Sequence, residues 1–164
     1  MKYYCLAKDD RMRKPLELKN YIMQGTDDLS GLVIYEDFTA ATKMVDYIQK
    51  RFLFNANHIV SDMVKEVFNL YEQDLKSNVI FVMDPFVDKQ YVYWEVKFDL
   101  IECLEYKRAM TFRNLILNTN KINNRKIFSI NLEKQNHIIV RFDVAESIMR
   151  RFPLGIKFLN VTLV

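Results

Sequence analysis

From Gln90 to Leu104 the chain alternates with a period of two, and no other stretch constrains the fold as strongly. Val92, Trp94, Val96, Phe98 and Leu100 fall on one side, and Tyr91, Tyr93, Glu95, Lys97 and Asp99 on the other. A strand with one apolar and one polar face is the mark of an antiparallel sheet whose outer surface is wet. The alternation therefore predicts a half-buried strand with Tyr91, Tyr93, Glu95, Lys97 and Asp99 facing solvent.

The flanking sequence adds strands and helices in a recognisable order. Met1–Ala7 reads as a first strand, and Leu16–Met23 as a short extended stretch after Pro15. Residues 24–31 are rich in turn formers, and Leu32–Tyr35 is a short strand. Ala41, Val45, Ile48 and Phe52 recur at helical spacing, which predicts a helix over Ala40–Phe54 with Thr39 or Asp37 as its N-cap. A second helix is expected over Asp62–Leu75, with Val64, Val67, Phe68, Tyr71 and Leu75 as its apolar stripe and Ser61 or Asp62 as its cap. Asn78–Met83 is a continuous apolar strand ending at Asp84-Pro85. Leu115–Leu117, Lys126–Asn131 and His137–Phe142 read as further strands.

The last 23 residues form one compact unit. Asp143 and Glu146 have the spacing of a capping box, Val144–Phe152 is a short helix, and Arg150 and Arg151 sit where the carbonyl end of the helix dipole favours cations. Pro153 stops the helix, Gly155 permits the turn, and Ile156–Val164 resumes as a strand. Strands that cluster while helices segregate point to an α+β fold. The expected architecture is a mostly antiparallel sheet with two helices in the first half and one short helix before the C-terminal strand. Residues 1–164 read as a single domain, with a division into two lobes near 84–90 as the alternative.

Half of the residues are hydrophobic and 13% are aromatic, which is ample for a packed interior, and glycine and proline number three each. No apolar run approaches the roughly 20 residues that span a bilayer. The N-terminal residues lack the apolar core and cleavage site of a signal peptide, so a cytoplasmic protein without a membrane partner is expected. Cys5 and Cys103, both in apolar surroundings, read as buried thiols rather than a disulfide. The net charge of +3 hides an asymmetry: residues 1–106 carry 13 Lys/Arg against 18 Asp/Glu (−5), and residues 107–164 carry 11 against 3 (+8). Such polarity suits either two charged surfaces for different partners or two halves that attract each other.

Candidate chemistry is sparse. His58, Ser61 and Asp62 lie close together, but no glycine flanks Ser61 as a strained nucleophile turn would require, so Ser61 reads as a helix cap. His58 and Asp62 supply too few ligands for a metal site. His137 opens a strand and reads as a surface residue. Asp84 and Asp88, which could share acid–base work, read as turn residues around Pro85. No phosphate loop, dinucleotide fingerprint or calcium loop is present, and no cofactor is implied. Arg125, Lys126, Arg141, Arg150 and Arg151 could contact nucleic acid, but they are scattered, and two are accounted for by helix termination. The better functional surface is the polar face of the long strand. There Tyr91 and Tyr93 beside Glu95, Lys97 and Asp99 combine aromatic area with charge, as protein interfaces do.

The chain resembles an immunity-protein family of bacterial polymorphic toxin systems, long catalogued as a domain of unknown function. The likeness runs through MKYYCL, LVIYEDF, NHIVSDMVKEVF and YVYWEVKF, and is densest in IIVRFDVAESIMRRFPLGIKFLNV. None of these motifs is catalytic; their order and spacing carry the resemblance. It implies an intracellular α+β protein that binds a cognate protein toxin and neutralises it, and the leading expectation is a protein that is not an enzyme and works by stoichiometric occlusion. It carries over no active-site residue and does not identify the toxin. Two rival readings remain: a hydrolase using His58 with Ser61 or an Asp, and a nucleic-acid-binding or scaffold module. Whether copies of the chain associate is not legible in the sequence.

Overall fold

A computed structural model of the chain describes residues 1–21, 31–36, 38–39, 41–51, 56–86, 88–105 and 114–164. In chain order the elements are β1 (Tyr3–Lys8), β2 (Leu32–Tyr35), β3 (Tyr47–Arg51), β4 (Ala56–Ser61), α1 (Asp62–Tyr71), β5 (Lys76–Asp84), β6 (Lys89–Lys97) and β7 (Ile116–Leu117). They continue with α2 (Thr119–Ile122), β8 (Ile127–Leu132), β9 (Gln135–Arg141), α3 (Phe142–Met149), β10 (Ile156–Asn160) and β11 (Thr162–Leu163). Among the described residues they form a four-stranded sheet ordered β10-β1-β9-β8, a five-stranded sheet ordered β2-β5-β6-β4-β3, and the pair β11-β7. Pairing is antiparallel except between β2 and β5 and between β7 and β11.

The α+β, mostly antiparallel architecture is as expected, but the placement of helices is not. Among the described residues only one helix, α1, lies in the first half. The helix expected over Ala40–Phe54 is replaced by β3, whose five residues pair with β4 from Tyr47↔Val60 to Arg51↔Ala56. Its spacing misled because Tyr47 and Ile48 point to opposite faces of the sheet and both are buried. A strand covered on both faces loses its alternation, and a mixed apolar run can then mimic a helical period. β4, a central strand with five of its six residues buried, was missed for the same reason. The short helix α2 is a further departure. Residues 24–30, Asp37 and residues 40 and 52–55 lie outside the described set.

The main core sits between the two large sheets. α1 contributes Val64, Val67 and Phe68, as its apolar stripe predicts, and α3 contributes Val144, Ala145 and Ile148. They meet Leu6, Ile138 and Val140 from the four-stranded sheet and Tyr47, Val60 and Val96 from the five-stranded one. The Tyr71 hydroxyl at the end of α1 ties the helices together, donating to the Asp143 carbonyl at 3.1 Å and sharing a hydrogen bond with Ser147 Oγ at 2.6 Å. Two smaller cores cover the outer faces. One packs Leu16, Leu18 and Tyr21 on the five-stranded sheet, and the other packs Leu104, Leu117 and Ile122 on the four-stranded sheet. β5 and β6, on either side of the alternative lobe division, pair within one sheet from Lys76↔Lys97 to Asp84↔Lys89.

The terminal unit keeps its outline but not its capping box. The helix begins at Phe142, with Arg141 at the N-cap position making no side-chain cap. The Arg141 guanidinium forks onto the Asp143 carboxylate at 2.8 and 2.6 Å, and Glu146 binds Arg150 at 2.8 Å. Both carboxylates expected at free amides are thus taken by arginines. Burial of Phe68 at the meeting of both sheets and both helices predicts that Phe68→Ala costs about 3–5 kcal/mol. Chemical denaturation should show this as a lower midpoint with an unchanged slope.

Candidate functional site

The long strand β6 has its expected alternation, but its faces are used differently. Tyr93 is 3% exposed, and its hydroxyl donates to the Val45 carbonyl at 2.9 Å inside the core built on Leu16 and Ile48. Tyr91 is half-buried, with its ring edge-on to Phe38 at 5.5 Å. Glu95 is half-buried and accepts from Asn57 Nδ2 at 2.8 Å, a group that also donates to the Tyr21 hydroxyl. Only Lys97 and Asp99 of the five residues are exposed, and Asp99 is paired with Arg125 at 2.6 Å. The expected wet face is therefore corrected: the chain from Met12 to Tyr21, with Phe38 and Met44, packs against it.

The opposite face is buried in the main core at Val60 and Val96 but is left open over β2, β5 and the near half of β6. Register places Val33 of β2 beside Phe81 of β5 and Val92 of β6. Tyr35 stands beside Met83, and Val79 beside Trp94. Val33 is 48% and Tyr35 60% exposed, and the β5 and β6 members of this face are all half-buried. The intervening residues Ile34, Ile80 and Val82 point into the core and are buried. At the hairpin tip, Phe86 is 81% exposed, its amide held by Asp84 Oδ1 at 2.9 Å. At the other end, Trp94 is fixed by a hydrogen bond from its indole to Asp62, with Lys65 Nζ 3.4 Å over its ring. Gly31 borders this face, where a Cβ would meet Val79 at 2.8 Å and Phe81 at 2.9 Å.

β2 is also a sheet edge. Its even residues face β5, as shown by Glu36 N donating to the Met83 carbonyl at 3.0 Å. The backbone groups of Val33 and Tyr35 consequently point away from the sheet. Asn20 Nδ2 occupies the Tyr35 carbonyl at 2.7 Å. Seven apolar side chains thus share an open sheet face beside an edge strand.

The residues considered for catalysis are not brought together. His58 and Ser61 stand opposite Val96 and Tyr93 respectively, which places their side chains on opposite faces of β4. Ser61 holds the N-cap position of α1 but does not cap it; its hydroxyl donates to Asp46 Oδ1 at 2.6 Å. His58 is 4% exposed, with Nδ1 2.8 Å from the Tyr47 hydroxyl and Nε2 3.0 Å from the Asn136 carbonyl. A carbonyl only accepts, so Nε2 carries the proton and Nδ1 accepts from Tyr47. His137, expected on the surface, is also 4% exposed. Asp84 and Asp88 bracket the β5–β6 turn as read, Asp88 with φ +50°. Among the described residues no three His, Cys, Asp or Glu side chains gather as a metal site. Both cysteines are buried free thiols.

The cations considered for nucleic acid have local partners. Arg125 binds Asp99, Lys126 lies 5.5 Å over the Tyr71 ring, Arg141 binds Asp143, and Arg150 binds Glu146. Arg151 donates to the Ser147 carbonyl at 2.7 Å. Among the described residues two ion pairs, Arg125–Asp99 and Lys121–Glu105, join the basic and acidic parts of the sequence. Among the described residues no helix is long and apolar enough to cross a membrane.

The sealed histidines make stability depend on pH. Burial, reinforced by the neighbouring His137, lowers the His58 pKa to about 3; burial, with the charge of Arg51, lowers that of His137 to about 4. Below pH 6.5 the unfolded chain takes up protons that the folded state refuses, so stability is full above 6.5 and falls as the pH drops toward 4. The slope approaches 1.4 kcal/mol per pH unit for each histidine. Melting temperatures between pH 7 and pH 4 should fall accordingly, and His58→Gln should flatten the profile.

Neither protein-family models nor curated proteins match this chain.

Proposed function

We propose that this protein is a cytoplasmic, non-enzymatic immunity protein that binds a bacterial protein toxin and neutralises it by occlusion. The observation that carries the reading is the open apolar face of β2, β5 and β6 beside the β2 edge. Such a face costs solubility in a free protein and is retained where a partner covers it. Its side chains are rigid: Trp94 is held by Asp62 and Lys65, and β5 and β6 are anchored by their buried opposite faces. Rigid aromatic area loses little entropy on docking, which favours tight binding. The resemblance in sequence order to immunity proteins supplies the partner class. The titratable groups of the alternative hydrolase are engaged in structural hydrogen bonds, which weighs toward stoichiometric binding.

The test pairs the chain with the toxin encoded beside its gene. Co-expression should protect cells, and the two purified proteins should form a complex of fixed stoichiometry without covalent change to the toxin. Val33→Lys with Tyr35→Lys, both at exposed positions, should weaken the complex by about a hundredfold while leaving the melting temperature within a few degrees. Protection at far less than equimolar inhibitor, or a toxin left chemically altered, would replace this reading with an enzymatic one.

A further inference from the structure

The turn after α3 holds a bulky aromatic where a glycine would be cheaper. Phe152 has φ +52° and is 87% exposed. A helix commonly ends on a left-handed residue, and that residue is usually glycine, because a Cβ is strained there. Here the strained position carries a phenyl ring that lies mostly in solvent and so returns little folding energy.

The backbone around the ring is fixed on both sides. Phe152 N donates to the Met149 carbonyl at 3.0 Å. Leu154 N donates to Asp46 Oδ2 at 2.6 Å, and its carbonyl accepts from Asp46 N at 2.8 Å. The Gly155 carbonyl accepts from Asp9 N at 3.0 Å, and Gly155 itself is wedged against Val45, where a Cβ would come within 2.9 Å. Leu154, 54% exposed, and Met149, 40% exposed, extend the apolar surface.

Charge of both signs surrounds the turn: the Asp46 carboxylate accepts from Leu154 N and Ser61 Oγ, and Asp9, whose amide donates to the Gly155 carbonyl, is paired with Arg11. Arg150 and Arg151 precede Phe152, and Arg13 and Lys14 adjoin Met12, whose sulfur lies beside Gly155. Arg150 is paired with Glu146, but among the described residues no carboxylate pairs with Arg13, Lys14 or Arg151. We infer that Phe152 is a docking knob that inserts into an apolar pocket rimmed by carboxylates on a protein partner. The fixed backbone favours a shaped pocket over a fluid lipid surface, and the cations without a carboxylate partner set the sign of the rim. This rests on the toxin-binding reading and specifies the chemistry of the toxin surface.

The test measures the affinity of the full chain for the purified toxin domain encoded beside its gene, comparing wild type with Phe152→Gly and Arg151→Glu. Phe152→Gly relieves backbone strain, so its melting temperature should equal or exceed that of wild type, while affinity falls by about tenfold or more. Arg151→Glu should slow association, with the loss shrinking as salt rises. If wild type binds and Phe152→Gly binds equally well, the knob is overturned and the toxin-binding reading stands. If wild type does not bind, both fall. A parallel arm uses vesicles of phosphatidylcholine and phosphatidylglycerol at 3:1; sedimentation of wild type with them, abolished by Phe152→Gly, overturns the protein pocket in favour of a membrane.

Discussion

The Asp46 carboxylate is the tie on which the arrangement of the remaining elements depends. It accepts from the Ser61 hydroxyl and the Leu154 amide, each at 2.6 Å, while its own amide and carbonyl bond Leu154 O and Ser61 N. Four hydrogen bonds at one residue thereby join the start of β3, the junction of β4 with α1, and the turn from α3 to β10. The first and last belong to different sheets, and the middle one is the start of the helix packed between them. A half-buried carboxylate with charge-assisted bonds of this kind is worth more than an equal number of neutral ones.

With that corner fixed, the apolar core decides the rest. α1 and α3 cannot bury their stripes against one sheet alone, because Val67 and Val144 belong to a cluster drawn from both. The seam between the sheets also carries His58, which takes its proton donor from Tyr47 on β3 and gives its own proton to Asn136 on the hairpin of the other sheet. A buried ring with one satisfied tautomer fixes the docking angle of the two sheets more sharply than apolar contact, which is non-directional.

Much of the architecture was legible where burial is one-sided. The stripe of α1 needs only one covered face, so Val64, Val67 and Phe68 stand out from Lys65 and Glu66 in the sequence. The Pro153-Gly155 break is a local conformational demand, and Gly155 takes φ +77° as a turn requires. β3 and β4 were not legible, since Tyr47, Ile48, Ile59 and Val60 are buried on both faces and leave no period to read. The face of β6 was misread for a related reason. Alternation shows that two faces differ but not which is covered, and Tyr93 and Glu95 carry polar atoms satisfied internally by Val45 and Asn57. The distinction depends on the chain from Met12 to Tyr21, which returns from far away in sequence. Capping failed through competition: Arg141 and Arg150 reach Asp143 and Glu146 before the free amides do.

The same competition explains why the surfaces proposed for binding are stiff. Three exposed aromatics stand on ordered backbone: Phe86, whose amide the Asp84 carboxylate holds, Tyr35, whose inward neighbours Ile34 and Glu36 are buried, and Phe152, on the turn that Asp46 clamps. A flexible loop carrying the same side chains would lose conformational entropy on docking, and that loss subtracts directly from affinity. Here folding has already ordered those groups. The consequence is a protein whose apolar contact area is set by its sheets and turns, and on the proposed reading its specificity comes from the fixed spacing between an open sheet face and a clamped basic turn.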